Sequence, residues 1–109
     1  MVYIAEAHAR DEWPISEAPR DFAQHVTLDD RLAAARCLLS DFELADELAH
    51  NCFADGVDNA FDAAYASWPF RFWAVDALAV RLKAMPVDVR YSLDDLERYL
   101  AATSRASAQ

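Results

Sequence analysis

The chain opens on an apolar run, Val2-Tyr3-Ile4-Ala5, that alternates into Glu6 and His8. Such a run reads as a buried strand emerging at its C-terminal end, and the two-residue period puts Glu6 and His8 on one face. Behind Thr27, Leu28, Leu32, Ala35 and Leu39 recur at helical spacing, and Thr27 with Asp30 matches a capping box in which Asp takes the usual Glu/Gln place. Asn51-Cys52-Phe53-Ala54 is strand-like and a short helix follows it. Phe70, Phe72 and Ala74 then alternate with Arg71, Trp73 and Val75, and Leu78, Val80 and Leu82 alternate after a turn, which predicts an antiparallel hairpin over residues 70–82. Ser92 with Asp95 opens a last helix carrying Leu93, Leu96 and Leu100 on one stripe. The order is strand, long loop, helix, strand, short helix, strand, strand, helix. Trp68, Phe70, Phe72 and Trp73 are expected in the core.

Residues 9–27, with Pro14, Pro19 and mixed charge, form a loop that a compact domain tolerates only for a reason. Residues 101–109 are small and polar and are expected to fray, leaving one domain over residues 1–100. No internal repeat or linker interrupts it.

Length and composition fit that reading: 109 residues at 55% hydrophobic content are enough for one core. A net charge of −9 excludes nucleic acid or an anionic membrane surface as the main partner. The chain shows neither an apolar h-region with a basic flank nor an apolar run near about 18 residues, so a cytoplasmic protein is expected. Cys37 and Cys52 make neither a disulfide framework nor a CxxC pair, and read as small buried hydrophobes in a reducing compartment. His50 and Cys52 share a face at strand spacing, but with His8, His25 and Asp55 they form no compact ligand motif, and no metal is expected.

The chemistry-bearing residues carry a resemblance. Val2, Tyr3, Ile4, Glu6, Ala7, His8, Asp11 and Trp13 match a VYI-x-EAH-x-x-D-x-W segment; His25 is followed by Asp29-Asp30-Arg31, Ala34, Ala35, Leu38 and Leu39. Asp58-Asn59 and Ala63-Ala64-Tyr65 then precede Trp68-Pro69-Phe70-Arg71-Phe72-Trp73-Ala74-Val75. In this order and at these spacings the chain resembles the iodothyronine deiodinases from about residue 2 to residue 100.

The resemblance implies a thioredoxin-like α/β fold, akin to the peroxiredoxins, with a mixed sheet and flanking helices. In that family a strand ending in a cysteine or selenocysteine nucleophile, and the helix after it, come before the VYI strand; here they would lie before Met1. The implied strand sits between Val2–Ala5 and Phe70–Val75, and its absence would leave edges through which two copies could pair. The implied activity is thiol- or selenol-dependent reduction of an iodinated aromatic substrate, or of a peroxide in a peroxiredoxin-like alternative. An external thiol is the implied reductant, with no bound cofactor. His8 would supply or orient a proton, Glu6 would fix the imidazole, and His25 would bind the substrate's phenol or relay protons. The Trp68–Pro69 bond is expected to be cis. Without the nucleophile the same residues would belong to a catalytically inactive fragment or an interaction domain.

Two departures stand out. The family's glycine-rich GG(R/P)GP loop is replaced by Lys83-Ala84-Met85-Pro86-Val87-Asp88, and the hairpin turn at Asp76-Ala77-Leu78 lacks a glycine. Gly56 is the single glycine of the chain.

Overall fold

In the computed structural model, residues 1–15, 22–48, 50–84, 86–88, 90 and 92–109 are described. Pro19 and Met85, named above, lie outside them. The architecture is mixed α/β with two small sheets, divided into two compact units, Met1–Pro69 and Phe70–Gln109.

The first unit contains β1 (Val2–Tyr3), α1 (Leu28–Asp41), α2 (Ala45–Leu48), β2 (Phe53–Ala54) and α3 (Ala60–Tyr65). The strands β1 and β2 pair in parallel, Val2 opposite Phe53 and Tyr3 opposite Ala54. Parallel pairing requires a crossover, and α1 supplies it. Thr27 starts α1 as its spacing predicts: the hydroxyl accepts from the Asp30 N–H at 3.1 Å, and the Asp30 carboxylate accepts from the Thr27 N–H at 3.0 Å. Arg31, Ala34, Ala35 and Leu38 lie on one face of this helix, and Tyr3, Ala34 and Ala35 form the buried cluster, with Phe22 and Leu38 packed against it.

The first strand is shorter than its apolar run suggests. Extended pairing stops after Tyr3, and residues 7–13 turn back on themselves through Trp13 N–H to Ala7 C=O (3.2 Å) and Glu12 N–H to Ala9 C=O (3.0 Å). Glu6 therefore stands between the strand and this turn, and His8 stands within it. Side-chain acceptors compete with the ladder for backbone donors there, as described below. Across the long loop, the Arg10 N–H donates to the Phe22 C=O at 3.1 Å.

The second unit contains β3 (Phe72–Asp76), β4 (Ala79–Ala84) and α4 (Asp94–Ser107). The hairpin pairs Phe72 with Ala84 and Asp76 with Ala79, and a bulge between Ala74 and Val75 places Arg81 without an opposite residue. Its two-residue turn holds Ala77 at φ 48° and Leu78 at φ 63°, the left-handed pair that a tight hairpin demands. Glu43, Asn59, Ala66 and Asp88 also take positive φ, whereas Gly56 does not. In α4 the Ser92 hydroxyl accepts from the Asp94 N–H at 3.2 Å, and helical geometry runs past residue 100 to Ser107, where the Thr103 and Ser107 hydroxyls bond back to carbonyls of the preceding turn.

The aromatic expectation is corrected in part. Phe72 and Trp73 are half-buried, but Trp68 is 40% and Phe70 46% exposed, since neither belongs to a strand. The Trp68–Pro69 peptide bond is cis.

Candidate functional site

Glu6 is the centre of a small polar network at the end of β1. One carboxylate oxygen accepts from the Tyr3 hydroxyl at 2.7 Å, and the other accepts from the His8 backbone N–H at 3.1 Å. The Glu6 backbone is held on both sides by one amide: its N–H donates to Gln24 Oε1 at 2.9 Å, and its C=O accepts from Gln24 Nε2 at 2.9 Å. Gln24 is itself fixed by its N–H, which donates to Asp11 Oδ1 at 2.7 Å. The first segment and the end of the long loop are thereby locked together. Burial pushes the Tyr3 phenol well above its ordinary range, and the hydrogen bond to Glu6 adds to that shift, so Tyr3 is a permanent donor to the carboxylate.

His8 is positioned differently from the expectation. Glu6 holds its backbone, while the ring Nδ1 lies 2.9 Å from the Trp13 carbonyl oxygen and the ring packs 5.2 Å from the Trp13 ring. A carbonyl only accepts, so the proton sits on Nδ1 and Nε2 presents its lone pair. The imidazole is oriented by Trp13, in the place proposed for Glu6.

His25 stands beside the same tyrosine, its ring 5.6 Å from that of Tyr3 and 5.9 Å from that of Phe22. Its Nδ1 accepts from Arg31 Nε at 3.2 Å. Arg31 is 2% exposed, the largest fully buried side chain among the described residues, and its Nη1 also donates to the Asp55 and Gly56 carbonyls at 3.2 and 2.6 Å. Desolvation lowers the His25 pKa and the Arg31 charge lowers it further, against smaller opposing effects of Glu6 and Asp30. Asp55, also buried, spends its carboxylate on the N–H groups of Phe61 and Asp62 at the start of α3, both at 3.0 Å.

A cavity of about 460 Å³ adjoins His25, lined by Phe22, Ala23, Val26, Ala33, Ala34 and Cys37 with Gln24 and Asp30. Cys37 and Cys52 are free and half-buried. Pro69 is half-buried in the same unit. Among the described residues no cluster of three or more His, Cys, Asp or Glu is placed to hold a metal, and no helix is long and apolar enough to cross a membrane.

The structure thus joins Glu6, His8 and His25 through Tyr3 and Gln24, two residues given no role from sequence. It adds Arg31, whose signal is a cation at the i−3 and i−4 positions of Ala34 and Ala35, on the apolar face of a helix.

The profile of the iodothyronine deiodinase family matches residues 1–103. A thyroxine 5-deiodinase of Sparus aurata is 39% identical over 75 residues, 69% of this chain and 26% of the relative. That of Gallus gallus is 32% identical over 102 residues, 92% of this chain and 37% of the relative. That of Homo sapiens is 26% identical over 102 residues, 92% of this chain and 31% of the relative. The chain spans about a third of the length of these relatives.

Proposed function

The chain belongs to the iodothyronine deiodinase family, and from that premise we propose that it forms the proton-transfer and substrate-binding part of a thioredoxin-like deiodinase-type oxidoreductase. The observation that carries the reading is the Glu6 network, in which family-matching Tyr3, Glu6 and His8 are hydrogen-bonded together and family-matching His25 packs its ring against Tyr3. The nucleophile is a thiolate or selenolate on a segment outside these residues. It takes iodine from an aromatic carbon, the carbon–iodine bond breaks, and the ring carbon takes a proton; external thiols then release iodide and are oxidised to a disulfide.

The residues present divide the remaining work. His8, with Nδ1–H tied to Trp13, exchanges its proton at Nε2, which suits a general acid in its protonated form. Glu6 fixes the backbone that carries this ring. His25 binds the aromatic substrate's oxygen. The substrate is a small aromatic halide, the setting cytoplasmic, and the reductant a free thiol with no resident cofactor. The substitution of the glycine-rich loop by Lys83–Asp88 favours a substrate that differs from iodothyronine in its carboxylate end.

The test is iodide release from iodophenol and iodothyronine, with dithiothreitol as reductant. The longest in-frame product containing these residues should turn over, and His8→Ala should lower kcat by about 100- to 10,000-fold, the usual worth of a positioned acid or base. The 109-residue chain alone should show nothing above a Cys37→Ala/Cys52→Ala control, because the family resemblance puts neither cysteine at the nucleophile's position. Turnover by the short chain that one cysteine substitution abolishes would overturn the assignment.

A further inference from the structure

We propose that Arg31 is a positioning residue that locks His25 into the Nε2–H tautomer, making His25 a fixed hydrogen-bond donor to an acceptor oxygen and not a proton relay. Its functional consequence rests on the deiodinase-type reading; its structural content does not.

The argument starts from valence. A guanidinium has donors only and stays charged, so Arg31 Nε at 3.2 Å from His25 Nδ1 must donate and Nδ1 must accept. A neutral imidazole with a lone pair on Nδ1 carries its proton on Nε2. Arg31 cannot turn away to relieve this, because Nη1 is held by the Asp55 and Gly56 carbonyls at 3.2 and 2.6 Å and the side chain is 2% exposed. Taking a second proton would place an N–H on Nδ1 against the Arg31 N–H, and a cation beside a buried cation.

The groups facing His25 favour the neutral ring on balance. Glu6 and Asp30 pull toward protonation; burial against Tyr3 and Phe22 and the Arg31 charge oppose it and prevail. His25 Nε2 is buried and has no hydrogen-bond partner among the described residues, which leaves a donor available for a ligand. His8, by contrast, holds its proton on Nδ1. The two histidines are opposite tautomers: one offers a lone pair at Nε2, the other an N–H. A proton can pass through His8, while His25 grips an acceptor such as a phenol or phenolate oxygen.

The experiment is long-range ¹H–¹⁵N NMR on the ¹⁵N-labelled 109-residue chain. The expected spectrum shows His25 protonated on Nε2 alone, with scalar coupling across the hydrogen bond between Arg31 Nε and His25 Nδ1. A proton on His25 Nδ1, or no such coupling, overturns the proposal in the unmodified protein, whatever any variant does. Arg31→Lys keeps a cation for the Gly56 carbonyl but loses the Nε donor, and should release His25 into a mixture of tautomers; an unchanged pure Nε2–H form in a folded variant would show that Arg31 does not set it. In the longest in-frame product, Arg31→Lys should raise KM roughly tenfold with kcat and its pH profile unmoved, the mark of lost binding alone. A fall in kcat with a shifted profile would restore the relay role. Failure of all turnover would strike the deiodinase reading and leave the NMR result standing.

Discussion

At the scale of single residues, His25 gives the fold a pH dependence whose sign is fixed. Its pKa in the folded protein is lowered, chiefly by desolvation, so on acidification the unfolded chain takes the proton first. The stability it contributes is complete above the ordinary imidazole value of about 6.5 and is lost as pH falls toward the folded value. His25→Gln keeps an acceptor for Arg31 without titrating. Urea midpoints between about pH 5 and 7.5 should therefore fall more steeply with acid in the unmodified chain than in His25→Gln. Parallel curves would show that His25 is not shielded. Asp30, with its carboxyl lowered by hydrogen bonds from Thr27, acts only below the ordinary carboxylate range and does not confuse the comparison. Glu6, His8 and His25 are singled out in the sequence only by the family resemblance, since a strand-end Glu–His pair and a loop histidine have no such claim on their own. Their partners are not legible there. Arg31 follows two aspartates at a helix start, where an arginine ordinarily solvates, and only the contacts of Asp55 and Gly56 reveal that it is inside. The Trp13 carbonyl that orients His8 is a backbone atom with no signature in sequence at all.

At the scale of elements, local chemistry is legible in sequence where side chains cap the backbone and less so where pairing is long-range. The Thr27–Asp30 box and the β3–β4 hairpin follow directly from spacing and alternation. The end of β1 did not, because Tyr3, Glu6 and Gln24 satisfy the turn with contacts from a loop distant in sequence. The hairpin also stores a cost that the sequence announces. Ala77 and Leu78 both sit at positive φ, where a residue with a Cβ is destabilised by about 1–2 kcal/mol relative to the ordinary regions. Leu78, fully exposed, gains no packing in return. Replacing the pair by Asn-Gly, the residues that favour this turn, should raise unfolding free energy by about 1–2 kcal/mol with the same dependence on denaturant. A midpoint unchanged or lowered would mean that the turn relaxes to another type in solution.

At the scale of the whole molecule, the balance between burial and exposed edge decides how the chain behaves alone. Among the described residues each strand has one hydrogen-bonded neighbour, and each unit holds a single pair of strands. A two-stranded sheet is marginal in water without a covered face. Among the described residues the buried apolar side chains are Tyr3 and five alanines, Ala7, Ala9, Ala34, Ala35 and Ala84, which remove little area from water. Large apolar groups stay outside: Phe53 on β2 is 64% exposed, and Val75 and Val80 on the hairpin are 58% and 52% exposed. Open edges flanked by exposed apolar side chains invite pairing with another chain. Charge works against it, since two copies at −9 each repel. Salt screens that repulsion within about 10 Å at 0.1 M and leaves the apolar term in place. The chain should therefore associate at micromolar concentration and do so more strongly as salt is raised, the reverse of a contact held by opposite charges. Sedimentation velocity at low and high salt measures this directly. A monomer in both, melting cooperatively above about 60 °C, near the upper end for mesophilic domains, would mean that the edges are closed within one chain and that the small alanine-lined core suffices.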